Sequence, residues 1–143
     1  MFGDNRTAMR RMYTESWRKL QERHPMTPLE QLIASVIHQH PEYHRLVEKG
    51  ESSAARDYLP EGGETNPYLH MGMHISLREQ FGSDRPPGIA RLYRQLLTKL
   101  GDPHETEHRM MECLGRTLWE AQREGTMPNE QAYLECVRAL CRN

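Results

Sequence analysis

Three pairs of histidines spaced four residues apart stand out in this sequence. The pairs are His40/His44, His70/His74 and His104/His108. Chance placement of 8 histidines among 143 residues would give only about 0.4 such pairs. On a helix, residues i and i+4 are neighbours on one face, so two imidazoles at this spacing can converge on one ion. The pattern therefore indicates a metal site built from helices.

The pair His70/His74 carries most of this hypothesis. Both residues lie inside one predicted helix, on the same stripe as Leu77 and Phe81, so both should point into the protein. A buried neutral imidazole has two ring nitrogens to satisfy, and either hydrogen-bond partners or a metal ion can do so. The sequence leaves both interpretations open.

Carboxylates one helical turn beyond two other histidines extend the candidate ligand set. His108 is followed by Glu112 and His44 by Glu48. His40 precedes the break at Pro41, where helical geometry applies poorly, and His104 lies in the first turn of its helix, where exposure is common. The predicted metal ligands are His40, His44, His70, His74, His108 and Glu112, with Glu48 and His104 as further candidates.

Imidazole and carboxylate ligands together suit iron, zinc or manganese, and imidazole favours iron or zinc over magnesium or calcium. We therefore predict a mononuclear or dinuclear site with Fe or Zn as the cofactor. The sequence does not decide whether the protein is an enzyme, because an open coordination position could bind oxygen, activate water or sense redox state. The alternative is a non-enzymatic interaction or scaffold protein with structural histidine networks and no metal. Its candidate partner contacts are Trp119, Arg116 and Arg123.

The segments that carry these histidines are bounded by Gly and Pro, and their apolar residues repeat at helical spacing. No run alternates with a period of two. We predict an all-α fold, a single-domain helical bundle of about six to seven helices over residues 1–143, with a polar loop around 50–65 and at most one helical turn in it. The first helix, 6–23, should bury one apolar stripe, which consists of Met9, Met12, Tyr13, Trp17 and Leu20.

Capping signals fix where the helices begin. Thr27-Pro28-Leu29-Glu30 forms a capping box with proline at the first helical position, which makes Glu30 a cap rather than a ligand. Asn66-Pro67 and Asp102-Pro103 start two further helices by the same logic. The last helix, about 129–141, should direct Ala132, Tyr133, Cys136, Val137 and Leu140 inward.

Composition excludes several classes of protein. A formal net charge of -1 argues against a nucleic-acid binder, whose affinity comes from neutralising phosphates, although a weak adaptor role of the basic first helix stays open. No apolar run approaches the roughly 18 residues of a membrane span.

The three cysteines Cys113, Cys136 and Cys141 form no CxxC pair, so we expect reduced, buried thiols in a cytoplasmic protein. The sequence leaves a homo-oligomer open.

Three strings carry a resemblance to a known family. They are HPEYH at His40–His44, NPYLHMGMH at Asn66–His74 and EHRMMECLGRTLWEAQR at Glu107–Arg123. Together they resemble a family of small, uncharacterised bacterial proteins, catalogued as a domain of unknown function, over roughly residues 6–140. The resemblance implies a cytoplasmic bacterial protein. It brings no assigned activity and no catalytic residues.

Overall fold

A computed structural model describes residues 2–49 and 66–142. Within these ranges the chain forms seven α-helices, a 3-10 turn at Pro41–Tyr43 and no strand, which confirms the predicted all-α fold. The helices are α1 (Phe2–Glu22), α2 (Pro28–His38), α3 (His44–Glu48), α4 (Pro67–Ser83), α5 (Ile89–Leu100), α6 (Pro103–Glu124) and α7 (Glu130–Arg142). The predicted polar loop around 50–65 lies outside the described residues. No described helix combines the length and the apolar character needed to cross a membrane.

Three predicted helix starts are confirmed by their caps, whereas the first helix begins at Phe2 rather than at the predicted residue 6. Thr27 Oγ1 accepts a hydrogen bond from the Glu30 amide, and the Glu30 carboxylate accepts one from the Thr27 amide at 2.9 Å. Asn66 Oδ1 accepts from the first amides of α4, and Asp102 Oδ2 accepts from the Glu105 amide at 2.9 Å. These bonds satisfy amide groups that a helix N-terminus leaves without intrahelical partners. The caps therefore fix which residues occupy the first turn of each helix.

Contacts divide the chain into two compact units, Met1–Ile75 and Ser76–Asn143, so the single domain over 1–143 stays a prediction. In the first unit, α1 packs against α2 and α3. Its buried cluster consists of Tyr13, Trp17, Ile33, Val36, Ile37, Val47, Tyr68, Met71 and Ile75. In the second unit, α5, α6 and α7 pack against one another. Its fully buried apolar side chains are Leu77, Ile89, Leu96, Met110 and Val137.

The predicted stripe of α1 is only partly correct. Tyr13 and Trp17 are buried, but Met9, Met12 and Leu20 are exposed. Arg10 and Ser16 take the inward positions instead, and the Arg10 guanidinium lies 4.7 Å from the centre of the Tyr68 ring. An arginine can be buried this way because its stem packs against apolar atoms while its charge meets an aromatic face.

Two expectations about α7 and the cysteines are wrong. Ala132 is exposed rather than inward. Cys113 and Cys136 are joined by a disulfide, with their Cα atoms 5.7 Å apart, so only Cys141 is a free thiol. The two cysteines lie on α6 and α7, and their proximity depends on how these helices pack, which a separation of 23 residues cannot reveal. The cytoplasmic location stays a prediction.

Candidate metal centre

His40 lies at the break between α2 and the 3-10 turn. Its backbone, with φ -125° and ψ 71°, lies outside the α region, which the following proline disfavours. The side chain is 1% exposed, and its Nδ1 lies 2.7 Å from the carbonyl oxygen of Val36. Because a carbonyl oxygen only accepts, Nδ1 must carry the proton and donate it. In a neutral ring with its proton on Nδ1, the lone pair is on Nε2, and this tautomer can bind a metal through Nε2.

His70 and His74 are one turn apart on α4, as predicted, and their ring centres are 5.0 Å apart. His74 is completely buried beside the apolar residues Met71 and Ile75, whereas His70 is half-buried. The centre of the His40 ring lies 4.7 Å from that of His74 and 5.4 Å from that of His70. The proline break therefore brings His40 next to the helical pair.

His104 and His108 are one turn apart at the start of α6, with ring centres 4.1 Å apart. The Asp102 cap and Pro103 begin this helix, which places His104 in its first turn. His104 is exposed and His108 is half-buried. Because the His104 ring is exposed, solvent can reach this pair of histidines.

Four of the histidines each bring one ring nitrogen to a common place. They are His40, His74, His104 and His108, and their four candidate ligand atoms all lie within 4.8 Å of one another. In a tetrahedral site with metal–nitrogen bonds of about 2.0–2.1 Å, ligand nitrogens are separated by about 3.4 Å. The upper limit of 4.8 Å exceeds this separation by about 1.4 Å. The group is therefore compatible with a metal ion.

Three predicted ligands are not part of this group. His44 Nε2 lies 2.9 Å from the Ile37 carbonyl oxygen, to which it donates, and its ring centre is 4.5 Å from that of Trp17. His70 lies beside the group but contributes no atom to it, and Glu112 is exposed. The further candidate Glu48 accepts a hydrogen bond from Trp17 Nε1 at 3.1 Å. The grouping thus contains His40, His74 and His108 of the predicted set, and it adds His104.

One part-buried ion pair near the start of α6 was missed by the sequence analysis. Glu107, the neighbour of His108 in the chain, is 4% exposed, and its carboxylate lies 3.3 Å from Arg78 Nε. Burial raises the pKa of Tyr93, the nearby Glu107 carboxylate raises it further, and Arg78 lowers it. The only sequence signal was helical periodicity, since Glu107 falls one turn before the buried Met111.

The comparisons with known proteins now identify the family. The chain matches the family described as Domain of unknown function (DUF1841) over residues 5–139. The chain belongs to this family. No curated protein and no solved structure matches it. Membership in an uncharacterised family is thus confirmed, while the bacterial origin and the motifs that define the family stay predictions. The family assigns no activity, so the site itself must carry the functional argument.

Proposed function

We propose that this protein binds one transition-metal ion through the imidazoles of His40, His74, His104 and His108. The observation that carries the proposal is the convergence of their four ligand atoms within 4.8 Å. Four neutral nitrogen ligands complete a tetrahedron around a single ion, so we favour a mononuclear site over a dinuclear one. Zinc and iron(II) are the ions that such a set and the predicted cofactor have in common.

The support around His40 strengthens the case for ligation. Histidines that bind metals usually donate their second ring N–H to a carbonyl or carboxylate, which fixes the tautomer and the direction of the ring. The hydrogen bond from His40 Nδ1 to Val36 does both. His40 and His74 are buried and held by packing, so they would form the rigid half of the site.

Exposed His104 distinguishes this site from a closed structural one. A ligand at the surface gives the ion a route of entry, and a water molecule or small substrate can replace it more easily than a buried ligand. When bound, the metal would supply Lewis acidity at that position. The residues of the chain would hold the ion.

Elemental analysis of protein purified without a histidine tag tests the proposal most directly. We expect close to one equivalent of zinc or iron per chain, lost from His74→Ala and retained in the exposed control His38→Ala. Chelation should lower the melting temperature of the wild type and leave that of His74→Ala unchanged, because an ion stabilises only the state that binds it. Metal-free wild type whose melting curve does not respond to Zn(II), Mn(II) or anaerobic Fe(II) would contradict the proposal.

Acidification provides a second test. Imidazole binds a metal only when it is neutral, and histidines in model peptides titrate near pH about 6.5. Metal affinity should therefore be full above this pH and fall as the pH is lowered through it. The loss should exceed tenfold per pH unit, roughly, because several imidazoles compete for protons. A competition assay with a chromophoric chelator between pH 5 and 8 measures the slope.

The scaffold alternative has one observation in its favour. Trp119 on α6 is 58% exposed, and the Arg123 guanidinium lies 4.6 Å from the centre of its ring. Exposed tryptophan and arginine are typical of binding hot spots. Under this alternative, Trp119→Ala would abolish partner binding, and the histidine variants would lower stability without changing metal content.

A further inference from the structure

A cleft of about 290 Å³ lies beside the Cys113–Cys136 disulfide in the second unit. Both cysteines line it, together with the charged side chains of Arg116, Glu120 and Glu135. A volume near 300 Å³ is at the lower end of the range for small-molecule sites. The disulfide is therefore next to a space that can hold a molecule of roughly tripeptide size.

The two sulfur-bearing residues differ in accessibility. Cys113 is 2% exposed, whereas Cys136 is partly exposed on α7. Thiol–disulfide exchange begins when a thiolate attacks one sulfur of the bond, and access decides which sulfur is attacked. An external thiol would thus attack Cys136 Sγ, and Cys113 Sγ would be the leaving group.

The charges around the cleft suit one chemical class of thiol. The Arg116 guanidinium is 3.2 Å from the Glu120 carboxylate, and Glu135 lies 3.3 Å from Arg138. One cation and two carboxylates thus line the cleft. A molecule that carries both a carboxylate and an ammonium group suits this pattern, because its carboxylate can meet Arg116 and its ammonium group Glu120 or Glu135 when these exposed, weak ion pairs open.

We propose that Cys113–Cys136 is a redox-active disulfide that exchanges with a low-molecular-weight thiol of the amino-acid or small-peptide type. The thiolate attacks Cys136 Sγ, the bond between the two cysteine sulfurs breaks, and its electron pair goes to Cys113 Sγ, which takes up a proton. A second thiolate attacks the sulfur of the bound thiol, forms the small-molecule disulfide and releases Cys136 as a thiolate. Two thiols are oxidised to one disulfide, and the protein disulfide is reduced by two electrons.

Cys141→Ser gives a suitable background for the test, because Cys141 is the free thiol and would complicate thiol counts. It is partly buried, with its Sγ 3.6 Å from the Leu92 carbonyl oxygen. In this background, millimolar glutathione should reduce the disulfide of the folded protein, and thiol counting should find two thiols per chain. A disulfide that glutathione reduces only in guanidinium chloride would be purely structural and would overturn the proposal.

Two further variants in the Cys141→Ser background then test which sulfur is attacked. With oxidised glutathione, Cys113→Ser should form a mixed disulfide at Cys136 at least about ten times faster than Cys136→Ser forms one at Cys113, because access limits exchange. Mass spectrometry measures both rates, and circular dichroism verifies that both variants fold. Equal rates in folded variants would contradict the assigned direction of attack. If either variant fails to fold, the glutathione reduction of the Cys141→Ser protein decides alone.

Charge recognition is tested with matched thiols at equal thiolate concentration. Glutathione and cysteine should react several times faster than neutral 2-mercaptoethanol. Arg116→Gln should reduce that preference, while Arg142→Gln, outside the cleft, should leave it unchanged. Identical rates for the charged and neutral thiols would overturn the assigned thiol class.

Discussion

The proline break at His40–His44 and the regular helix at His108–Glu112 each have two candidate ligands four residues apart, but helical geometry predicts the outcome at neither place. At the break, helical geometry fails, and yet His40 is buried, oriented by Val36 and close to His74. On α6 the geometry is regular, and yet Glu112 is exposed while His108 joins the group. A spacing of four residues establishes which side chains are neighbours. It does not establish which way they face.

The largest expected difference in metal affinity is between variants of His40 and His44, the two histidines at the proline break. His40→Ala should weaken metal binding at least about 100-fold, because it removes a buried ligand together with its hydrogen-bonded support. His44→Ala should keep the metal and lose only about 1–2 kcal/mol of unfolding free energy, through its lost hydrogen bond and its packing on Trp17. Metal titration and thermal denaturation of both variants measure the contrast. Equal metal loss in the two would mean that spacing, not orientation, selects the ligands.

The second expected difference in metal affinity is between variants of His108 and Glu112 on α6. His108→Ala should lower metal affinity by about 10- to 100-fold, as expected for a half-buried ligand. Glu112→Gln is the matched control on the same helix, and it should leave affinity and melting temperature unchanged because its side chain is exposed. Calorimetric titration with Zn(II) compares the two. A clear loss in Glu112→Gln would restore the carboxylate to the ligand set.

Smaller effects are expected at the solvent-exposed edge of the group. His104→Ala should weaken binding by about tenfold, since water can occupy the position that an exposed ligand leaves. The same variant should make the bound ion more accessible to added imidazole. Cobalt(II) substitution tests this, because its visible spectrum reports a change of coordination. A spectrum identical to that of the wild type would exclude His104 from the site.

The smallest effects concern the two helix caps that precede these regions. Thr27→Ala and Asp102→Ala should each cost about 1 kcal/mol of unfolding free energy, because each leaves a helix amide without its side-chain acceptor. Asp102→Ala should also weaken metal binding slightly, since it loosens the turn that carries His104, whereas Thr27→Ala should not. Denaturant unfolding and metal titration separate the two variants. Equal metal affinities would show that the first turn of α6 is held by other contacts.

Much of the local structure was predictable because its causes are local. Thr27, Asn66 and Asp102 cap helices that begin where the sequence indicated, and the following prolines occupy first-turn positions. The buried faces were less predictable. On α1, Arg10 replaced the expected methionines because an aromatic ring from α4 was available to it, and a single helix cannot show what its partners offer.

The candidate site likewise has features that were predictable from the sequence and features that were not. The sequence by itself determined the all-α fold, the starts of the capped helices and the pairing of histidines on α4 and α6, because hydrogen bonds and steric limits within a few residues set these features. Only the tertiary structure decided that His40 turns toward His74, that His44 packs on Trp17 and that Cys113 meets Cys136. These contacts depend on the rotation of each helix about its own axis. That rotation is chosen by the packing of the whole core, and no short stretch of sequence contains it.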